Sequence, residues 1–206
     1  MRDIDIPHIP VLLDEVLDSF STIKNGYFVD CTLGYGGHSK AILQTYTDIK
    51  LIGIDRDSEA LEFSSKRLKE FSSKVEFIKG DFASTFKQIE HSPIVGVLAD
   101  FGVSSLQLDK LDRGFSFESD ILDMRMDSSS SFSAYDVVNG YDKERLEYIL
   151  NHYGEVRSYR KIANAIIEAR SKKPIQSAKE LSDIICQTIP KSGKIHPATL
   201  PFQAIV

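Results

Sequence analysis

Three aspartates stand where apolar stretches stop: Asp55 after LIGI, Asp81 after VEFIKG and Asp100 after IVGVLA. A further apolar stretch runs into Gly34, Gly36 and Gly37 within VDCTLGYGGHSKAIL. Glycine lets backbone approach a ligand closely, and a carboxylate accepts hydrogen bonds or a proton. A glycine turn between a strand and a helix suits a nucleotide-type ligand, and an acid about twenty residues further on suits ribose hydroxyls. Asp55 follows the turn at about that separation. As a bare motif the turn is weak, because Ser39 occupies the third fingerprint position, where Gly or Ala is usual. A tight turn with no ligand is the competing reading.

Each acid has a structural alternative. Asp55 could cap the next helix, but Asp57 and Ser58 are better placed to do so, which leaves Asp55 free for a sugar. Asp81 could meet an adenine edge or cap a helix, and Phe82 could offer a ring face or belong to the core. The run ADFGVSSLQLD supplies Asp100, Phe101, Gly102 and, a little later, Gln107. Asp-Phe-Gly also occurs in protein kinases, but this chain has no kinase catalytic loop and its glycine turn precedes the wrong elements.

The elements that must position these residues alternate. Strands are expected at 26–33, 50–55, 75–80 and 94–100, and helices at 11–20, 39–46, 58–71 and, more weakly, 84–90. Alternation of this kind predicts an α/β fold with a parallel sheet, whose ligands bind outside the carboxyl ends of the strands. The strand ending at Asp100 is expected at a sheet edge that exposes apolar residues. Residues 104–133 are rich in Ser, Asp and Gly and read as a linker or ordered loop. Helices follow at 142–153, 158–171 and 177–188, each opening near an Asp or Ser able to cap it. The closing PFQAIV reads as the start of an element.

Composition narrows the class. With 42% hydrophobic and 27% charged residues the 206-residue chain reads as a globular protein. No apolar run approaches the ~18 residues of a membrane span, and MRDIDIPHIP lacks a signal-peptide layout, so a cytoplasmic address without a membrane is expected. Cys31 and Cys186 are the only cysteines and read as lone buried thiols, with neither a disulfide framework nor a metal site. Residues 1–140 carry 14 basic and 23 acidic side chains, whereas 141–206 carry 11 and 7. The cationic third could attract phosphate or serve only as solvated helix surface.

HIPVLLDEV (8–16), YGGHS (35–39), GIDRD (53–57), DFGVSSLQLD (100–109), RGFSF (113–117), LDMRMD (122–127), YGE (153–155) and HPAT with FQA (196–204) occur in this order. The series resembles the ribosomal RNA small subunit methyltransferase H family, also called MraW, over nearly the whole chain. RGFSF followed by LDMRMD is its most specific part. The resemblance implies a Rossmann-like class I methyltransferase sheet, here its N-terminal strands only, with an inserted α-helical module. The division expected is a cofactor-binding portion at 1–105 and a substrate-recognition portion at 106–206. It further implies S-adenosylmethionine as cofactor, held by Gly36, Gly37, His38, Asp55, Phe82, Asp100 and Gln107, and methyl transfer to N4 of a cytidine in 16S rRNA.

That nitrogen is poorly nucleophilic, because its lone pair is delocalised into the ring. A carboxylate at the Asp100 turn could accept its hydrogen, which makes Asp100 the expected catalytic residue, with Phe101 a stacking face for the base. Binding only the cofactor's amino-acid end is the alternative role for Asp100. The partners implied are 16S rRNA or the small ribosomal subunit, with a homodimer left open and no metal. Two departures stand out: Leu200 replaces the Arg usual after HPAT, and the family continues beyond FQA. A truncated remnant that binds RNA or cofactor without turnover is therefore the alternative function. A nucleotide-dependent oxidoreductase is disfavoured by the incomplete fingerprint and the lack of a placed hydride-transfer acid.

Overall fold

The computed structural model describes residues 10–102, 111–189 and 194–206, which cluster into two compact units, Met1–Gly102 and Val103–Val206. The first holds α1 (Leu13–Ser19), β1 (Gly26–Asp30), α2 (Gly37–Thr45), β2 (Ile49–Asp55), α3 (Ser58–Arg67), β3 (Val75–Lys79), α4 (Phe82–Thr85) and β4 (Ile94–Leu98). All strand pairs are parallel and the order is β3-β2-β1-β4. The chain steps outward from β1 through β2 to β3, then returns to the other side of β1. That reversal opens a crevice at the carboxyl ends of β1 and β4, as in Rossmann-like sheets.

Burial explains which strands are central. β1 places Phe28 and Val29 at 0% exposure, and β2 buries Leu51, Ile52 and Ile54 on alternate faces. On one face Phe28, Ile42, Leu43, Ile49, Leu51 and Leu68 form a cluster against which Val16, Leu17 and Phe20 of the α1 region pack. On the other, Val29, Cys31, Ile52 and Ile54 meet Ile78, Phe82 and Ile89. β4 lies at an edge of the described sheet, as expected, with Ile94 37% and Val97 44% exposed. The weak helix expected at 84–90 is instead α4 followed by a 3₁₀ turn, Phe86–Gln88, because Asp81 starts the helix early by accepting the Ser84 N–H at 3.0 Å.

The second unit holds α5 (Ala134–Gly140), α6 (Lys143–His152), α7 (Tyr159–Lys172), α8 (Ala178–Thr188) and α9 (Thr199–Ile205). Asp142 and Ser177 cap α6 and α8 by accepting N–H groups of Arg145 at 2.8 Å and Glu180 at 3.0 Å. Leu146, Leu150, Ile162, Ile166, Leu181 and Ile185 reach 0% exposure in the shared core. The segment before α5 is ordered without being helical. Met124 N–H donates to the Arg113 carbonyl, Arg113 donates to the Arg125 and Met126 carbonyls, and Phe115, Leu122 and Met124 enter the core. Among the described residues no helix is long and apolar enough to cross a membrane. Cys31 is buried, whereas Cys186 is only half-buried, 3.8 Å from His196 Nε2.

Candidate functional site

The glycine turn is built from both sides. Gly34 (φ 51°) and Gly36 (φ 70°) adopt left-handed backbone, which L side chains rarely tolerate, and this folds the chain from β1 into α2 within a few residues. The turn's carbonyls are drawn toward α3: Ser64 Oγ donates to the Gly34 carbonyl at 2.6 Å and Arg67 to the Tyr35 carbonyl at 2.9 Å. Gly36 is the residue before α2 and has no side chain to cap it. The first-turn N–H groups of α2 are therefore left without a side-chain acceptor from the cap, a local arrangement that favours anionic groups.

Asp55 is more engaged than sequence reasoning expects. One carboxylate oxygen accepts the Gly34 N–H at 2.7 Å and the other accepts the Asp57 N–H at 2.8 Å. Asp57 caps α3 through the Glu59 N–H, as expected, but Asp55 is not thereby left free: it ties the end of β2 to the glycine turn. Each oxygen keeps a lone pair for a further donor. Burial raises the Asp55 pKa, and the hydrogen bonds from Asp57 and Gly34 offset part of that rise.

Asp30 escaped the sequence reading, although it ends β1 as the other acids end their strands. It is buried, accepts the Ser39 hydroxyl at 2.6 Å and the Thr32 N–H at 3.2 Å, and burial pushes its pKa up against those two bonds. Thr32 then passes the connection on, its Oγ1 accepting the Asp100 N–H at 2.7 Å. Hydrogen bonds thus join the ends of β1, β2 and β4 around the glycine turn. The Gly80 N–H adds the end of β3 by donating to the Asp55 carbonyl at 2.9 Å.

The remaining candidates divide. Asp100 is exposed just past β4, and Phe101 beside it is 72% exposed, with its ring 5.5 Å from that of Phe82. Phe82 packs partly against the core face of the sheet, which is one of the two roles considered for it. Asp81 serves as a cap. His38 is the second residue of α2, and its Nε2 lies 2.9 Å from the Val11 carbonyl, to which it donates, so that nitrogen is occupied within the fold. Gln107 lies outside the described residues.

An open parallel sheet with a glycine turn, an uncapped helix start and acids gathered at its switch point is the arrangement at which such sheets commonly take nucleotide-type ligands. The MraW methylase family matches residues 5–206, and the chain belongs to that family. It is 61% identical over 201 residues to a ribosomal RNA small subunit methyltransferase H from Sulfurovum sp. (strain NBC37-1), covering 98% of this chain and 66% of that one. The enzyme of the same name from Aliarcobacter butzleri (strain RM4018) is 54% identical over 201 residues, covering 98% and 66%. The one from Campylobacter jejuni subsp. jejuni serotype O:23/36 (strain 81-176) is 52% identical over 202 residues, covering 98% and 65%. The chain therefore spans about two thirds of the length of these curated relatives.

Proposed function

We propose that the chain binds S-adenosylmethionine at the carboxyl ends of β1 to β4 and that this pocket serves methyl transfer to N4 of a cytidine in 16S rRNA. The observation that carries the reading is the hydrogen-bonded junction of Gly34, Asp55, Asp30, Thr32 and Asp100 at the sheet's switch point. Its donor set fits the cofactor's parts. The α2 N–H groups at Gly37 and His38, behind Gly36, suit a carboxylate, the spare lone pairs of Asp55 suit a ribose diol, and Phe82 suits an adenine face. Gln107 joins this set through the family resemblance alone.

When bound, the cofactor supplies an electrophilic sulfonium methyl group. The protein's part is to position the cytosine and take up its proton. Asp100, fixed through its N–H to Thr32, accepts the N4 hydrogen and so localises the lone pair that is otherwise shared with the ring. The exposed Phe101 ring offers an unstacked base a face beside that carboxylate. An rRNA substrate places the working protein with ribosomes in the cytoplasm.

The test is methyl transfer by the purified chain to 16S rRNA, free and in the small subunit, with modified nucleosides mapped by mass spectrometry. Methylated cytidine that is lost in Asp100→Asn while cofactor binding is kept supports the proposal. Methylation of a different base, or an unchanged rate in the variant, overturns the assignment of substrate or of Asp100.

A further inference from the structure

The outward face of α6 carries rings where a solvated helix usually carries charges. Leu146 and Leu150 point into the core at 0% exposure. On the opposite side, Arg145, Tyr148 and His152 follow at spacings that align them along one face of α6, and Tyr141, partly buried against the core, stands just before the helix. Phe132 precedes this row and Tyr153 ends it.

The row falls into two contacting groups. Phe132 lies 5.8 Å from Tyr141 between ring centroids, and the Arg145 guanidinium sits 4.4 Å from the Tyr141 centroid. Tyr148 stacks on His152 at 5.0 Å and 18°, and Tyr153 meets both edge-on at 5.8 and 5.4 Å. Tyr153 also raises the Tyr148 phenol pKa, by charge first and then by hydrogen bonding. Phe132 is 50%, Tyr148 54% and Tyr153 63% exposed, so the rings hold one another while their faces stay open to solvent. From Arg145 to His152 the helix rises about 10 Å.

Charge around the row favours an anionic, aromatic partner. Among the described residues Arg145 has no carboxylate partner, since its contacts are the Tyr141 ring and its own N–H to the Asp142 cap. Glu147 lies on another face of α6 and is paired with Lys143 at 3.7 Å and Arg160 at 3.8 Å. Glu144 flanks the row on the side away from Arg145. The row holds no aliphatic side chain of the kind a helix-in-groove protein contact uses as an anchor. Alternating π faces with a guanidinium is the chemistry that binds unstacked bases and the phosphates between them.

We propose that Phe132, Tyr141, Arg145, Tyr148, His152 and Tyr153 form a stacking surface for a single-stranded RNA segment. The inference rests on the rRNA reading above and adds to it the place where unpaired bases are held.

The test is fluorescence anisotropy of a labelled, unstructured oligocytidine titrated with the 206-residue chain across a salt series. Cofactor titration and thermal melting are run on the same samples. Tyr148→Ala and Tyr153→Ala should each weaken binding by about tenfold without changing its salt slope, because one stacked base is lost in each. Tyr148→Phe should bind within about twofold of the parent, because the ring face is kept. Arg145→Gln should weaken binding and lower the salt slope by about 0.7, the value for one phosphate contact on a single strand. All three side chains are exposed, so melting should not change.

Parental affinity in both alanine variants overturns the proposal, as does an oligonucleotide that the parent fails to bind at low salt. So does a protein ligand whose binding is lost in these variants while RNA binding persists. Loss of RNA binding in the alanine variants alongside a parent that never binds S-adenosylmethionine would keep the stacking surface and sink the methyltransferase reading instead.

Discussion

Replacing Asp30 by Asn removes a buried charge while leaving each of its hydrogen bonds a way to persist. The Asn oxygen can still accept the Thr32 N–H, now at 3.2 Å, and the Asn amide can donate to Ser39 Oγ, reversing the present 2.6 Å bond. Because burial raises the Asp30 pKa above 3.8, the folded state holds this proton more tightly than the unfolded chain does. As pH rises from about 3.8 to the raised folded value, the unfolded chain ionises first and stability falls. Above the folded value the loss is complete and constant. Asp30→Asn should therefore be at least as stable as the parent at neutral pH and lose part of the downward slope in the acid range. Asp55, shifted in the same direction, retains the rest.

Ser39→Ala is the contrasting perturbation. It deprives a buried carboxylate of a hydrogen bond worth roughly 1.5–3 kcal/mol, so a loss near 2 kcal/mol should lower Tm by about 4–8 °C in a chain of this size. Calorimetry or circular dichroism between about pH 3 and 8, which spans the carboxylate titrations, reads both effects. If Asp30→Asn melts as low as Ser39→Ala at neutral pH, or keeps the parent's full acid slope, Asp30 is not the buried charge described here.

Gly36→Ala should weaken cofactor binding and cost about 1–2 kcal/mol of stability, read by titration and melting, because φ 70° strains an L residue and the new methyl would lie 3.3 Å from Ser64 Oγ. Asn139→Asp should destabilise the helical unit by about 1–3 kcal/mol at neutral pH, since the amide that donates to the Ile175 and Tyr135 carbonyls becomes an acceptor facing them; a chemical denaturation curve with unchanged midpoint would contradict this. Asp100→Asn should lower single-turnover methyl transfer by about 10²–10⁴-fold, the usual range for a lost proton acceptor, with cofactor affinity nearly unchanged.

The strands were legible because central strands of a parallel sheet must be apolar on both faces. FVD and LIGID announce themselves, and the strand ends fall within two or three residues of the expected positions. Helices α6, α7 and α8 were equally legible, since Asp142, Ser158 and Ser177 stand immediately before them, although only Asp142 and Ser177 cap through their side chains. Two helices were not read. α5 is seven residues long and opens with a Ser133–Asp136 capping box inside a Ser-rich stretch that looks like loop, and α9 has Pro201 in its first turn, where proline is tolerated although it resembles a breaker.

At the site, residue type and spacing located Asp55, Asp81 and Asp100 but neither Asp30 nor the partners of these acids. That Asp55 would hold Gly34, or that Thr32 would bridge Asp30 to Asp100, depends on which strands are neighbours, and the β3-β2-β1-β4 order is set by long-range packing. The ring row on α6 was hidden for another reason. Which face of that helix is buried depends on tertiary packing, and the structure puts Leu146 and Leu150 there.

The central claim is that the switch point of this sheet is an S-adenosylmethionine pocket, and isothermal titration of the purified chain with the cofactor tests it most directly, with Asp55→Ala as control. The account predicts saturable one-to-one binding that is lost or greatly weakened in the variant, whose glycine turn loses the acceptor for Gly34. A folded chain that takes up no cofactor, or an Asp55→Ala variant that binds as tightly as the parent, would contradict it.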